Sequence, residues 1–476
     1  MTITSTILRN IKLLTAAQII ASVAGLFSSA LLARALGAEG FGIIGFGAAF
    51  LSLLGVAASL STDMYGTREI ARNPNEAGSV ASAIIGLRFT LSVIAFVFFV
   101  GIVFLLDRTS QEKTVLLIQA GGIFVSVFVL DFVFQGLERM GINGLRQISI
   151  AFITLLCVVL FVHSPDDILR AALIPVWAGA LAGGVVWIYA RRQVAGLGLS
   201  FSTERWRQIL AVSVPMAVSG IMHTIIFNTD AVMLGLMSTN EQTGLYVSAF
   251  KIVGLTLIPA GLIMTPFFPS LAAGWKEPQM RFDRSKTFAI SVLIVSLPLV
   301  IFIALFPELI LRVLFGEAFA EAAPTLLILM ASMAVMHLRV IYGNPLIAWN
   351  EERFYMFATL FGAVLNVLLN YLLIPDYGIL GAAYASLISQ AVILLGVAYR
   401  FKILTSTFHL DVIVRAVLCM IVAAASVWVL ALSFGQSFSQ SIMTLVINGA
   451  VFGVIYLAAI ALVFRPNLRQ ILNPEK

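Results

Sequence analysis

Charge is what this sequence has least of. Only 11% of its 476 residues are Asp, Glu, Lys or Arg, against 60% hydrophobic ones, whereas a soluble domain carries about 25% charged residues. A surface so poor in charge could not stay solvated, which excludes an ordinary soluble protein. Cysteine is nearly missing: Cys157 and Cys419 both lie in apolar stretches, so neither a disulfide framework nor a thiolate metal cluster is available, and both read as small core residues. Histidine occurs four times, and no group of Cys, His and acidic residues has metal-ligand spacing, so no metal or cofactor is expected. There is no G-x-x-x-x-G-K-[ST] phosphate loop, which excludes ATP hydrolysis by that device. No connection between apolar runs is long enough for a folded soluble domain or a nucleotide-sugar site.

What is present is apolar length. Mean hydropathy is +1.03, and the sequence predicts fourteen runs of roughly 20 residues, the length needed to cross a bilayer. They include helix 3 near 82–106, helix 4 near 115–137, helix 7 near 209–237, helix 8 near 244–272, helix 10 near 322–348 and helix 11 near 354–375. Continuous apolar runs without period-two alternation exclude a β-barrel. The expected fold is therefore all-α, a polytopic membrane protein.

Of the 29 Lys and Arg residues, 21 fall on segments that share a side with the N-terminus, five on the opposite side and three inside helices. By the positive-inside rule both termini are expected to be cytoplasmic, in the cell inner membrane. The net charge of +6 thus reports topology rather than a nucleic-acid surface. Membrane lipids are the expected surroundings, with a weak affinity for anionic headgroups as a by-product. The first apolar run follows Arg9 and Lys12 and continues to Arg34, past signal-peptide length, so it reads as a transmembrane helix.

The longest basic connection, Arg191 to Arg207 with Gly196, Gly198 and Ser200, splits the first twelve helices six and six. The second helix begins Gly40-Phe41-Gly42-Ile43 and the eighth Gly244-Leu245-Tyr246-Val247, an offset of 204 residues. Units of even helix number enter from one side, so two copies would be related by a pseudo-twofold along the membrane normal, with substrate held between halves that alternate access. Gly-rich helix starts also recur for packing alone. The expected organisation is an N-terminal six-helix bundle over 1–195, a C-terminal one over 196–405, and two additional helices with a tail over 406–476.

Several phrases resemble one family. Leu32-Ala33-Arg34-Ala35-Leu36-Gly37-Ala38-Glu39-Gly40-Phe41-Gly42 is similar to the first-loop signature of bacterial polysaccharide exporters and O-antigen flippases, members of the multidrug/oligosaccharidyl-lipid/polysaccharide superfamily. Phe134-Gln135-Gly136-Leu137-Glu138-Arg139-Met140, Asp230-Ala231-Val232-Met233-Leu234-Gly235, Gly244-Leu245-Tyr246, Phe268-Pro269-Ser270-Leu271 and Ile374-Pro375-Asp376-Tyr377-Gly378-Ile379-Leu380-Gly381-Ala382-Ala383 fit the same family. The resemblance covers roughly residues 10–400. It implies a flippase that carries an undecaprenyl-pyrophosphate-linked oligosaccharide from the cytoplasmic to the outer leaflet, with polysaccharide polymerase and chain-length machinery as partners. It does not name the sugar.

An ionisable side chain at bilayer depth is costly and is by default a functional candidate. Arg88 on helix 3 and Asp131 on helix 4 stand at similar depth across an outside turn, as do Asp230 on helix 7 and Lys251 on helix 8; each is a candidate ion pair. Arg339 lies in helix 10 with no carboxylate beside it. Such cations could meet a pyrophosphate, Arg as a forked donor and Lys as a point charge, or could be structural. Asp131, Gln135 and Glu138 recur at helical spacing as one polar face for a sugar headgroup or a partner helix. Asn366 and Asn370 are one turn apart, for substrate or for interhelical hydrogen bonding. Asp230 shares a stripe with His223, near Asn228, and this carboxylate–histidine pair is a candidate site for ion coupling. Pro215, Pro259, Pro266 and Pro298 interrupt helices and permit bending.

Two other classes compete. A cation-coupled multidrug exporter of the same superfamily should have an acidic cavity, whereas three intramembrane cations against two deep carboxylates lean toward an anionic substrate. A membrane polymerase or ligase should carry a large extracytoplasmic loop, and the longest outside connection is about ten residues. No catalytic residues are therefore expected.

Overall fold

The computed structural model describes the backbone of residues 3–434 and 442–465, and side chains within them except at 3–12, 216, 218, 219, 223, 265, 430–434 and 442. Among the described residues the chain is helical without a strand. In order, the helices are α1 Ile3–Ser59, α2 Thr62–Arg72, α3 Ala77–Leu105, α4 Ser110–Ala120, α5 Gly122–Val127, α6 Asp131–Gly136, α7 Gly141–Phe161, α8 Ile168–Gln193, α9 Thr203–Met237, α10 Asn240–Ala273, α11 Pro278–Leu305, α12 Pro307–Phe315, α13 Ala323–Ala348, α14 Glu352–Thr405, α15 Leu410–Phe434 and α16 Ile442–Val463. Twelve segments among the described residues are long and apolar enough to span a membrane. Helix is the form such segments must take, because hydrocarbon offers no partner to a free N–H or C=O.

Two of these segments are too long for one crossing. Leu13–Ser59 has 47 residues and Glu352–Thr405 has 54, lengths of about 70 and 80 Å at 1.5 Å per residue against a hydrocarbon core of about 30 Å. Each contains one non-helical glycine, Gly37 (φ 70°) and Gly378 (φ 54°, ψ −129°), a conformation that residues with a Cβ resist. At Gly378 α14 doubles back: Gly381 abuts Leu373, Gly362 abuts Ile393, and Gly396 faces Ala358. These pairs are centred on one point of the sequence, so the two arms run antiparallel in contact.

The chain divides into two compact units, Met1–Val247 and Ser248–Lys476. In the first, α1 packs on α7, α9 and α4, and α8 on α7, α4 and α5. A core of Ile84, Ile85, Val127, Phe132, Phe134 and Ile209 joins α3, α5, α6 and α9. The 194–202 connection lies along α3, where Gly78 and Gly86 leave room for the Ala195 and Ser200 carbonyls. Ser82 Oγ accepts from Gly198 N at 2.8 Å, and Trp206 Nε1 donates to the Ala83 carbonyl at 3.1 Å. Gly42 and Gly244, which open the two similar helix starts, pack directly on each other.

In the second unit α13 packs on α14 and α11, and α15 on α16 and α11. The 406–409 connection seats His409 among Phe282, Phe401 and Ser285, with Ser285 Oγ 2.9 Å from its Nε2. Burial pushes this imidazole down to about 4. Beside it Lys286 pairs with Asp411 at 2.8 Å.

One expectation is overturned. Helix 4 is not continuous over 115–137 but breaks into α4, α5 and α6. Gly121-Gly122 weakens the first junction. At the second, Val133 N bonds Leu130 O rather than Val129 O, which frees the Val129 carbonyl for another donor.

Candidate functional site

That freed carbonyl is taken by Arg88. Its NH1 lies 3.4 Å from Val129 O, its Nε donates to Thr62 Oγ1 at 2.7 Å, and NH2 pairs with Asp63 Oδ1 at 2.8 Å. The guanidinium also stands over Phe132, 5.2 Å from the ring centroid. Arg88 is 4% exposed while the Asp63 side chain is 47% exposed. Thr62 and Asp63 open α2 directly after Leu60 and Ser61, both at positive φ, so a sharp backbone reversal presents them to α3.

The expected Arg88–Asp131 pair is therefore not formed. The helix break removes the straight geometry on which matching depth rested, and Asp131, in the first turn of α6, pairs with Arg146 of α7. Arg146 Nε meets Oδ1 at 2.8 Å and NH2 meets Oδ2 at 2.5 Å, a forked contact. Asn143 Nδ2 adds a bond to the Asp131 carbonyl at 2.9 Å. Gln135 stays one turn from Asp131 and meets Thr67 Oγ1 at 3.4 Å. Glu138 leaves the expected polar face, since α6 ends at Gly136 and Glu138 has φ 57°. The result in the first unit is a polar seam of Arg88, Asp63, Thr67, Gln135, Asp131 and Arg146, in which both arginines face carboxylates.

Asp230 is 1% exposed on α9, and its Oδ2 accepts the Tyr246 hydroxyl, equally buried, at 2.6 Å. Asn228 Nδ2 bonds the Thr224 carbonyl at 3.0 Å. The side chain of His223 lies outside the described residues. The expected pairing of Asp230 with Lys251 would join the two units and stays a proposal.

The second unit has the opposite electrostatics. Lys251 on α10 is exposed on its unit's surface, and Arg339 on α13 is 5% exposed with a buried Nε that has no partner. Among the described residues of this unit neither forms an ion pair. Between Ser248 and Pro266, and between Ala323 and Ala348, the sequence holds no Asp or Glu. On α14, Asn370 Nδ2 donates to Asn366 Oδ1 at 3.3 Å, both side chains buried.

Sequence reasoning missed Thr62, Asp63 and Arg146. Asp63 stands at the end of an apolar run, and Arg146 falls among the cytoplasmic charges by topology. Only the break in helix 4 and the reversal at Leu60–Ser61 bring them to their partners. Chemically, Arg88 and Arg146 of the first unit already face carboxylates, whereas the second presents a guanidinium and an ammonium that an anion could still take up.

A family model described as polysaccharide biosynthesis protein matches residues 7–275, more than half of the chain. A probable low-salt glycan biosynthesis flippase, Agl15 of Haloferax volcanii, is 30% identical over 167 residues, 34% of this chain and 35% of its own length. The capsular polysaccharide biosynthesis protein CapF of Staphylococcus aureus is 22% identical over 361 residues, 74% of this chain and 87% of its own. The chain thus spans about a third of the Haloferax relative's length and most of the staphylococcal one's. Among solved structures, a lipid II flippase, MurJ, in an inward closed conformation superposes with a TM-score of 0.75 over 96% of this chain and 100% of that one, at 15% identity. At that identity the likeness is one of fold.

Proposed function

Because the chain belongs to the polysaccharide biosynthesis protein family, we propose that it flips an undecaprenyl-pyrophosphate-linked oligosaccharide from the cytoplasmic to the outer leaflet of the inner membrane. The observation that carries the reading is the pair of cations, Lys251 and Arg339, which have no ion-pair partner within their unit and lie on stretches, 248–266 of α10 and Ala323–Ala348 of α13, that hold no Asp or Glu. A charge at bilayer depth with no partner in its own unit is by default a functional candidate, here for a ligand of opposite sign. A pyrophosphate supplies that sign, and Arg339 the forked donor for it.

Arg88 has a smaller place in this reading than its sequence position suggests, since Asp63 holds its charge. The Asp131–Gln135 pair and the Asn366–Asn370 pair are candidates for the sugar. Asp230, bonded to Tyr246, is the candidate for coupling to an ion gradient. We read the two long helices as two crossings each about Gly37 and Gly378, which with the other ten segments makes fourteen and returns both termini to the cytoplasm. The six, six and two arrangement of 1–195, 196–405 and 406–476, and contact with polymerase and chain-length machinery, belong to the same proposal.

The test is made in cells. Arg339→Ala or Lys251→Ala should leave the protein in the membrane, abolish surface polysaccharide and trap the lipid-linked intermediate on the cytoplasmic side. Normal export by both variants would remove the reading. Export of organic cations by the native chain would favour the multidrug alternative instead.

A further inference from the structure

His337 lies on α13, fully buried, two residues before Arg339. Its Nδ1 is 2.6 Å from the Met333 carbonyl oxygen and its Nε2 is 3.1 Å from the Thr256 carbonyl oxygen on α10. Both partners can only accept. A neutral imidazole has one N–H and one lone pair, so in either tautomer one nitrogen would point its lone pair at a carbonyl. Only the imidazolium, with two N–H groups, can donate to both carbonyls.

We propose that His337 is a proton-binding site whose occupancy fastens α10 to α13. The proposal deepens the reading above, to which it adds a second coupling site beside Asp230 and names the ion as a proton, and rests on it for that role. Taking an imidazolium out of water disfavours the charge, while hydrogen bonds to the charged form favour it. The proton is therefore bound more tightly while both carbonyls are in place than when one withdraws. The shorter bond, to Met333 within α13, keeps its proton. Deprotonation turns the Nε2 lone pair toward the Thr256 oxygen, so the bond that breaks is the one joining the two helices.

The surroundings suit a loadable site. Charged groups on the packed elements are few: on α10 from Ser248 to Ala273 only Lys251, on α13 Arg339, and on α14 from Ala358 to Tyr399 only Asp376, beside the Gly378 break; Glu241, at the start of α10, is about 22 Å along the helix from Thr256. On α11 from Phe288 to Leu305 there is none. Glu308, Arg312, Glu317 and Glu321 belong to α12 and the turn before α13, about 20 Å along the helix from His337. No carboxylate is thus at hand to fix the ring permanently as a cation. Beyond Thr256, α10 carries Pro259, Pro266 and Pro269, each of which removes a ladder hydrogen bond and lets the helix bend. Releasing the Thr256 carbonyl frees the segment that can move.

The test reads the ring directly. Protein labelled with 15N-histidine and reconstituted in lipid, without substrate, should show His337 with two protonated nitrogens at low pH and one at high pH. The signal is assigned by its loss in H337Q or, should that variant not fold, by elimination with H163Q, H223Q and H409Q. A single neutral tautomer throughout would overturn the proposal, as would a cation throughout. In proteoliposomes H337Q should flip substrate without responding to an imposed pH gradient, and an unchanged response would also overturn it. The titration needs no substrate, so its failure would leave the flippase reading standing.

Discussion

Removing Asp63 should harm the protein more than removing Arg88. The guanidinium is 4% exposed and the carboxylate 47% exposed, so Asp63→Ala strands a buried charge, whereas Arg88→Met strands a carboxylate that water can reach. Breaking a buried pair from one side costs about 3–5 kcal/mol. The half-exposed Asp63 weakens the attraction by screening, so about 3 kcal/mol is expected for Asp63→Ala. Arg88→Met gives up the bonds to Thr62 and Val129, each about 1 kcal/mol net, and removes the buried charge itself, for about 2 kcal/mol in all. With the guanidinium gone the carboxylate matters little, so Arg88→Met with Asp63→Ala should cost less than the two single losses together. Thermal unfolding of the four proteins in nanodiscs completes the cycle. Asp63→Ala with wild-type stability, together with Arg88→Met that unfolds normally but exports nothing, would refute the structural reading and return Arg88 to the substrate.

The fold-back of α14 predicts that Gly378→Ala costs about 2 kcal/mol from its positive φ, and that Gly362→Leu, which collides with Ile393, costs about 1–3 kcal/mol by overpacking; unfolding temperatures equal to wild type would contradict the hairpin. His409 makes stability pH-dependent. Its folded value of about 4 lies below the usual 6.5, so the unfolded chain binds the proton first. The stability present above pH 6.5 should fall as pH drops toward 4, by up to about 3 kcal/mol, and His409→Phe should flatten that slope in a pH series of thermal unfolding.

Much of the architecture was legible because lipid imposes it. With so few charges the chain had to be helical and membrane-bound, and the phrases that read as connections, Leu36-Gly37-Ala38 and Pro375-Asp376-Tyr377-Gly378, do contain the two glycines at which the long helices break. The interior of helix 4 was not legible. From Val127 to Phe134 every residue but Asp131 is apolar, and hydropathy carries no information on whether Val133 bonds Val129 or Leu130. That difference decides which carboxylate Arg88 finds, since counting residues from a turn presumes an unbroken helix. The absence of acids around Arg339 could be read directly, because it depends on composition rather than geometry. His337 had no comparable signal: a histidine in an apolar helix reads as packing until both its nitrogens are seen to face carbonyls.

The central claim is tested most directly in liposomes containing the purified protein and a fluorescent pyrophosphate-linked oligosaccharide lipid, scored by its transfer between leaflets. The native chain should move it, and Lys251→Gln with Arg339→Gln should reduce transfer to that of protein-free vesicles while the protein remains folded. Undiminished transfer by the double variant, or none by the native chain under any imposed ion gradient, would contradict the account.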